Sequence, residues 1–166
     1  MGGKRLTMAI TSTNTAQELE RSSNQLSTFF VADLFFGVDV LQVQEVLKLQ
    51  PMTPVPQAPE VIEGLINLRG QIVTAIDMRR RLKLPSRPAE LSAMNIVVTA
   101  SDGAVSLLVD EIGDVIHVDA SSFEFPPANL NPVAKQIVRG VHKLKDQLLL
   151  VLDTERTVDL SLGKSS

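Results

Sequence analysis

Two charged side chains in this 166-residue sequence stand where charge is out of place: Glu45, between Val43 and Val46, and Arg69, at the turn of an otherwise apolar segment. A guanidinium can fork onto a carboxylate through two hydrogen bonds. The pair therefore either bridges within the N-terminal half of the chain or presents each member to a partner protein. Two ordinary exposed charges, worth under about 1 kcal/mol, are the third reading. The other reactive groups assemble poorly. His117 and His142 fall in separate segments, with no carboxylate or serine at triad spacing, and read as surface or packed residues. Asp110, Glu111 and Asp114 lack the spacing of a calcium loop and read as solvated turn acids. Arg79, Arg80, Arg81 and Lys83 form the basic cluster, spread around a short helix as a solvated face; contact with an acidic partner or a membrane surface is the alternative. Gly64 and Gly70 are isolated, and Gly163-Lys164-Ser165 lacks the strand and helix of a phosphate loop. With no Cys at all, thiolate nucleophiles, thiolate metal sites and disulfides are excluded. The expectation is a protein with no catalytic residues, no metal and no cofactor: not an enzyme.

Composition narrows the remaining classes. Sixteen basic and nineteen acidic residues give a formal charge of −3, against the basic face that broad nucleic-acid binding needs. Trp and Tyr are absent and six Phe remain, so stacking platforms are few. No apolar run approaches the roughly 18–20 residues of a membrane span. The opening MGGKRLTMAI is too short in its apolar part for a secretory signal, and Leu6 stands where a myristoylation motif wants Ser or Thr. A soluble cytoplasmic protein is expected.

The elements that must position Glu45 and Arg69 are short strands. From Glu63 to Leu82 the chain reads as a hairpin, with apolar segments Leu65 to Leu68 and Ile72 to Ile76 separated by Arg69-Gly70-Gln71. Asp77 then caps a helical turn, Met78 to Leu82. The pattern returns: Gly140 to Asp153 lies on Gly64 to Asp77 without a gap, matching Arg69 with Lys145 and Asp77 with Asp153. Val43 to Val46 similarly resembles Ile112 to Val115. Two similar halves are implied. Residues 1–26 read as a flexible tail and 161–166 as a second one, with approximately 27–90 and 91–160 as the halves, either self-contained or exchanging strands. A hairpin at Asp33-Leu34 leaves Leu34 and Phe35 either as a contact patch or packed on the neighbouring loop. Leu41 to Val46 reads as one helical turn or a bulged strand. The proline-rich run from Pro51 leads to a short helix at Pro59 to Glu63. Ser101-Asp102-Gly103 marks another hairpin. About ten short strands and little helix predict small closed β-barrels. Leu148 to Leu152, with no polar face, requires closure, because an exposed edge of that composition aggregates.

Gly37 to Val46, with its Gly-Val-Asp-Val and Val-Gln-Glu-Val, together with Gly64 to Gly70 and Ile76-Asp77-Met78-Arg79, resembles the CheW family of chemotaxis coupling proteins, and the resemblance extends over about Ser27 to Leu160, through Val109 to Val115 and Gly140 to Asp153. The resemblance implies a mainly β fold of two intertwined, SH3-like five-stranded barrels with short helices. It implies an adaptor joining a CheA-type histidine autokinase, through that kinase's regulatory domain, to the cytoplasmic tips of methyl-accepting chemoreceptors, and hence recruitment to membrane receptor arrays without membrane insertion or nucleic-acid binding. By motif match, Val43, Glu45, Gly64 and Arg69 lie at or beside the kinase-facing surface. Asn67, Leu68, Ile96 and Val98 border the receptor groove. The alternatives are a scaffold of a related chemosensory pathway with a non-motility output, and a regulatory domain answering to a small ligand.

Overall fold

A computed structural model of the chain describes residues 24–161. The readings made on 1–23 and 162–166 lie outside the described residues. Eleven strands form: β1 (Gln25–Val31), β2 (Leu34–Asp39), β3 (Val43–Lys48), β4 (Ile62–Leu68), β5 (Gln71–Asp77), β6 (Met94–Ala100), β7 (Gly103–Val109), β8 (Glu111–His117), β9 (Phe123–Glu124), β10 (Val138–Lys143) and β11 (Leu148–Leu152). Three short α-helices accompany them, α1 (Met78–Arg81), α2 (Pro132–Ile137) and α3 (Thr154–Val158), with two single 3-10 turns at Val40–Gln42 and Ala120–Ser122. Each starts on a side-chain cap. Asp77, Asn131 and Asp153 accept hydrogen bonds from the first free N–H groups. The expected helix at Pro59 to Glu63 is instead a turn, closed by the Ile62 N–H on the Pro59 carbonyl at 2.9 Å, and it runs straight into β4.

The fold is mainly β, in two sheets. One is six-stranded, in the order β8-β1-β2-β11-β10-β9; the other is five-stranded, in the order β3-β6-β7-β5-β4. Each draws strands from both sides of residue 90. Strands are thus exchanged between residues 27–90 and 91–160: the five-stranded sheet holds residues 43–109, while the six-stranded sheet sets the first two strands beside the last four. The crossings are parallel pairings, β5 with β7 and β2 with β11. The duplication survives in the registers. In the β4–β5 hairpin, Ile62 faces Ile76 and Gly64 faces Ala75 with an irregularity between; in the β10–β11 hairpin, Val138 faces Leu152 and Gly140 faces Val151 with the same irregularity. A bulge in each hairpin at the aligned glycine is the structural counterpart of the sequence repeat.

Both faces of the six-stranded sheet are covered. Phe29, Val31, Phe36, Val38, Leu150 and Leu152 join the main core with Ile76, Ile96, Val98, Leu107 and Val109 of the other sheet. Leu26, Phe35, Leu149 and Val151 point the opposite way, into a smaller core with Val118. Period-two alternation divides the strands between the two cores, which is why Leu148 to Leu152 carries no polar face. Gln25 and Leu26, read as tail, belong to β1, and Leu26 is 1% exposed. Of the two readings of Leu34 and Phe35, packing holds for Phe35, whose ring stacks on Phe30 at 4.7 Å.

The five-stranded sheet closes between its outermost strands, β3 and β4. Beyond β3, Thr53 exchanges backbone hydrogen bonds with Leu65 at 2.9 and 2.8 Å. Gly64 makes this possible, because a Cβ there would lie 2.7 Å from the Thr53 carbonyl oxygen. Gly64→Ala is therefore expected to open this end of the seam and cost about 2 kcal/mol, by the usual scale for overpacking. A fall in the urea midpoint, with amide exchange accelerated at Leu65, is the measurement that checks it.

Candidate functional site

The other end of the same seam is closed by side chains. β4 and β5 join through a two-residue turn in which Arg69 (φ 51°) and Gly70 (φ 88°) both take left-handed conformations, the requirement of a tight hairpin turn matched to strand twist. The Asn67 side-chain carbonyl accepts the Gly70 N–H at 2.9 Å and fixes the turn. From this tip the Arg69 guanidinium reaches β3, where Nη1 and Nη2 each donate to one oxygen of Glu45 at 2.7 Å. Glu45 is set at an irregularity in the pairing of β3 with β6, between Val43 and Glu45. The first of the three sequence readings thus holds: the two charges pair within the chain. Arg69 stays 79% exposed while Glu45 is 21% exposed, so the fork is a surface feature rooted in a strand. The hydrogen bond from Arg69 holds the Glu45 carboxyl below its ordinary range, and the same bond raises the Arg69 guanidinium.

Around this fork the expected site residues divide. Val43 and Leu68 are half-buried and Asn67 is exposed, directly opposite Ile72, itself 60% exposed. Val46, next to Glu45, is also exposed. Gly64 is buried and acts through the Thr53 approach described above rather than as a contact. Ile96 and Val98 are each 0% exposed, within the main core. They are corrected from surface to core residues, because β6 lies between β3 and β7 and its inward face meets the opposite sheet.

A second polar cluster was missed. The arginines expected on a solvated face split: Arg80 is exposed and pairs with Glu63 at 2.7 Å, but Arg79 and Arg81 are buried. Arg81 donates to the carbonyls of Thr157 and Arg156 at 2.9 and 3.0 Å, fastening α1 to the end of α3. Burial pushes its guanidinium pKa down. Arg79 forks onto Asp110, with Nη2 at 2.6 Å and Nε at 3.0 Å from Oδ2. Asp110 also accepts from Arg87 at 2.8 Å and from the Ala32 N–H at 2.7 Å. Burial alone would raise the Asp110 carboxyl, but these donors together hold it below its ordinary value. Asp110 is the single residue linking β7 of one sheet to β8 of the other, so the cluster ties the two sheets at their crossover.

Neither histidine builds a catalytic site. His117 is exposed; His142 is 1% exposed beneath Phe123, with Nδ1 2.7 Å from the Ser122 hydroxyl oxygen. That hydroxyl donates to the Asp119 carbonyl at 2.8 Å, a tie between turn and strand. Among the described residues, no group of three His, Cys, Asp or Glu side chains is placed to hold a metal, and no helix is long and apolar enough to cross a membrane.

Two sheets sharing a core, an ion pair rooted in a strand at the surface, and apolar residues exposed beside it make a compact β scaffold with a surface open to contact. The comparisons make this specific. Residues 25–161 match the family described as CheW-like domain. Among curated relatives, the chemotaxis protein CheW of Bacillus subtilis (strain 168) is 30% identical over 146 residues, covering 88% of this chain and 94% of that protein. That of Treponema pallidum (strain Nichols) is 29% identical over 138 residues, covering 80% of each. The crystal structure of the scaffolding protein TtCheW from Thermoanaerobacter tengcongensis superposes with a TM-score of 0.75 at 30% identity, covering 82% of this chain and 93% of that one. The chain belongs to the CheW-like domain family, and with it to non-enzymatic scaffold proteins of chemotaxis.

Proposed function

We propose that the chain is the cytoplasmic adaptor that couples a CheA-type histidine autokinase to the tips of methyl-accepting chemoreceptors, recruited through both to membrane receptor arrays. The observation that carries this reading is the Glu45–Arg69 fork. It rigidifies a hairpin tip beside exposed Ile72 and Val46 on a family member whose relatives are named as chemotaxis proteins. A pre-formed patch of exposed apolar side chains around a fixed ion pair is what a partner of moderate affinity requires, since little ordering entropy is then lost on binding. Val43, Glu45 and Arg69 form the kinase-facing surface, with Gly64 setting the backbone beneath it. Asn67 and Leu68 border the receptor groove, while Ile96 and Val98 contribute as core packing. Several such contacts in one array reinforce one another through effective concentration.

The test is capture. The purified chain, held above about 10 μM so that contacts of roughly −7 kcal/mol register, is expected to retain a histidine kinase and a chemoreceptor from lysate of its own cells, identified by mass. Recovery of neither overturns the adaptor reading. It would favour the small-ligand alternative, for which a cleft of about 350 Å³ lined by Leu49, Arg87, Leu91, Ala93 and Leu108 is one available place.

A further inference from the structure

The outermost strand of the six-stranded sheet, β9, is two residues long, and it pairs only through Glu124 with Val141 and Phe123 with His142. So short a strand has little ladder of its own, and side chains must hold it. Three do. The Phe123 ring lies over Gly140, where any Cβ would collide with it, and meets the His142 ring edge-on at a centroid distance of 5.5 Å. Glu124 pairs with Lys143 at 3.4 Å, an exposed contact of small weight. Ser122, immediately before β9, is bound to the Nδ1 of His142. Just after β9, Phe125 is 88% exposed, and among the described residues no strand pairs with the far side of β9.

The hydrogens of this tie can be counted. Ser122 has one hydroxyl hydrogen, and it goes to the Asp119 carbonyl. The bond to His142 is then made by an Nδ1–H donor, which leaves Nε2 as the bare nitrogen of a neutral ring. Protonation must therefore occur at Nε2 and place a full charge in a ring 1% exposed. Desolvation opposes that charge, and the nearby Asp119 carboxylate, which favours it, does not outweigh the burial; the imidazole pKa is accordingly lowered. Among the described residues, the other groups around the ring do not supply a counter-ion: Glu124 on β9 is engaged by Lys143 of β10, and β11 offers Leu149 opposite the ring.

We propose that His142 is a proton-operated latch on β9: neutral, it holds the Ser122–Glu124 segment to β10, and protonated, it releases that segment and uncovers the edge of β10. The sign follows from the burial. The released segment solvates the imidazolium and binds the proton more readily than the latched one, so the latch weakens as pH falls below about 6.5, the ordinary histidine value. The device is separate from the Glu45–Arg69 fork, which lies on the other sheet.

The experiment is amide hydrogen exchange on the full chain at pH 7.5 and pH 5.5, corrected for the intrinsic pH dependence of exchange, with the His142 ring followed by NMR. Protection at residues 122–124 and 141–143 is expected to fall severalfold at the lower pH, and by no more than about tenfold for a single histidine titrating near 6.5 when released, while β6 and β7 keep theirs. His142→Gln cannot titrate and should show no such pH step; His117→Gln should retain it. Unchanged protection in the native chain, a step that persists in His142→Gln, or one that vanishes in His117→Gln overturns the proposal. If His142→Gln fails to fold, Ser122→Ala serves instead. It removes the acceptor of the Nδ1–H and should lower protection of β9 already at pH 7.5. Native-like protection there would equally defeat the latch.

Discussion

Asp110→Ala is expected to cost about 3 kcal/mol or more, the largest stability loss of any single charged side chain considered, seen as a lower urea midpoint. The carboxylate is 8% exposed and accepts from Arg79, Arg87 and the Ala32 N–H. Removing it leaves the Arg79 and Arg87 side chains, 10% and 13% exposed, with only Asp77, 3.8 Å from Arg87, as a nearby carboxylate, where water cannot fully replace the lost partner. Asp110→Asn keeps the shape and one acceptor oxygen, so it should lose less than Ala. The pH dependence has a definite sign. Because the folded carboxyl sits below its ordinary 3.8, its stabilisation is complete above about pH 5 and is lost progressively as pH falls through the folded value. In Asp110→Asn that acid-limb contribution should disappear. An Asp110→Ala chain as stable as the native one would show that the crossover is held by packing alone.

This cluster also marks where the sequence stopped being informative. Strands were legible because their signals are local: alternation, β-branched residues and glycines at turns. The repeat was legible too, and the paired irregularities at Gly64 and Gly140 confirm that the alignment followed backbone geometry as well as letters. Pairing between strands distant in the chain left no such mark. Nothing local says that β2 runs beside β11 or β5 beside β7, and without those crossings Asp110 reads as a turn acid and Arg79 as surface. The three consecutive arginines do spread around one helical turn, but with protein on two sides of so short a helix, two of the three point inward. Ile96 and Val98 were placed at the receptor groove by the family resemblance rather than by their own pattern. β6 is buried from Asn95 through Val98, so no alternation marks an exposed face there, and these two side chains lie in the core. Glu45 and Arg69 were found because a charge at an apolar tip is anomalous in itself, and the bidentate bond supplied the explanation.

Arg69→Glu is the substitution expected to do most to coupling while sparing the fold. The backbone at position 69 is left-handed, a conformation that costs either side chain about 1 kcal/mol, so exchanging Arg for Glu leaves the turn's strain unchanged and isolates the side chain. Two carboxylates would then face each other where a fork stood, and the hairpin tip should swing away from β3. Capture of the kinase is expected to fall about thirtyfold, roughly 2 kcal/mol, with circular dichroism unaltered. The reversed pair, Glu45→Arg with Arg69→Glu, separates two ways in which the native pair could act. If the fork works by holding the tip against the strand, the reversed ion pair restores the patch and most of the lost affinity. If the partner reads the Arg69 charge itself, 79% of which faces solvent, the double variant stays as weak as the single one. The first outcome is expected, because each Glu45 oxygen already accepts from Arg69 within the chain, and the guanidinium's position is fixed by that bond rather than by anything outside it. Loss of strand structure in Arg69→Glu alone would instead make the pair a requirement of the fold.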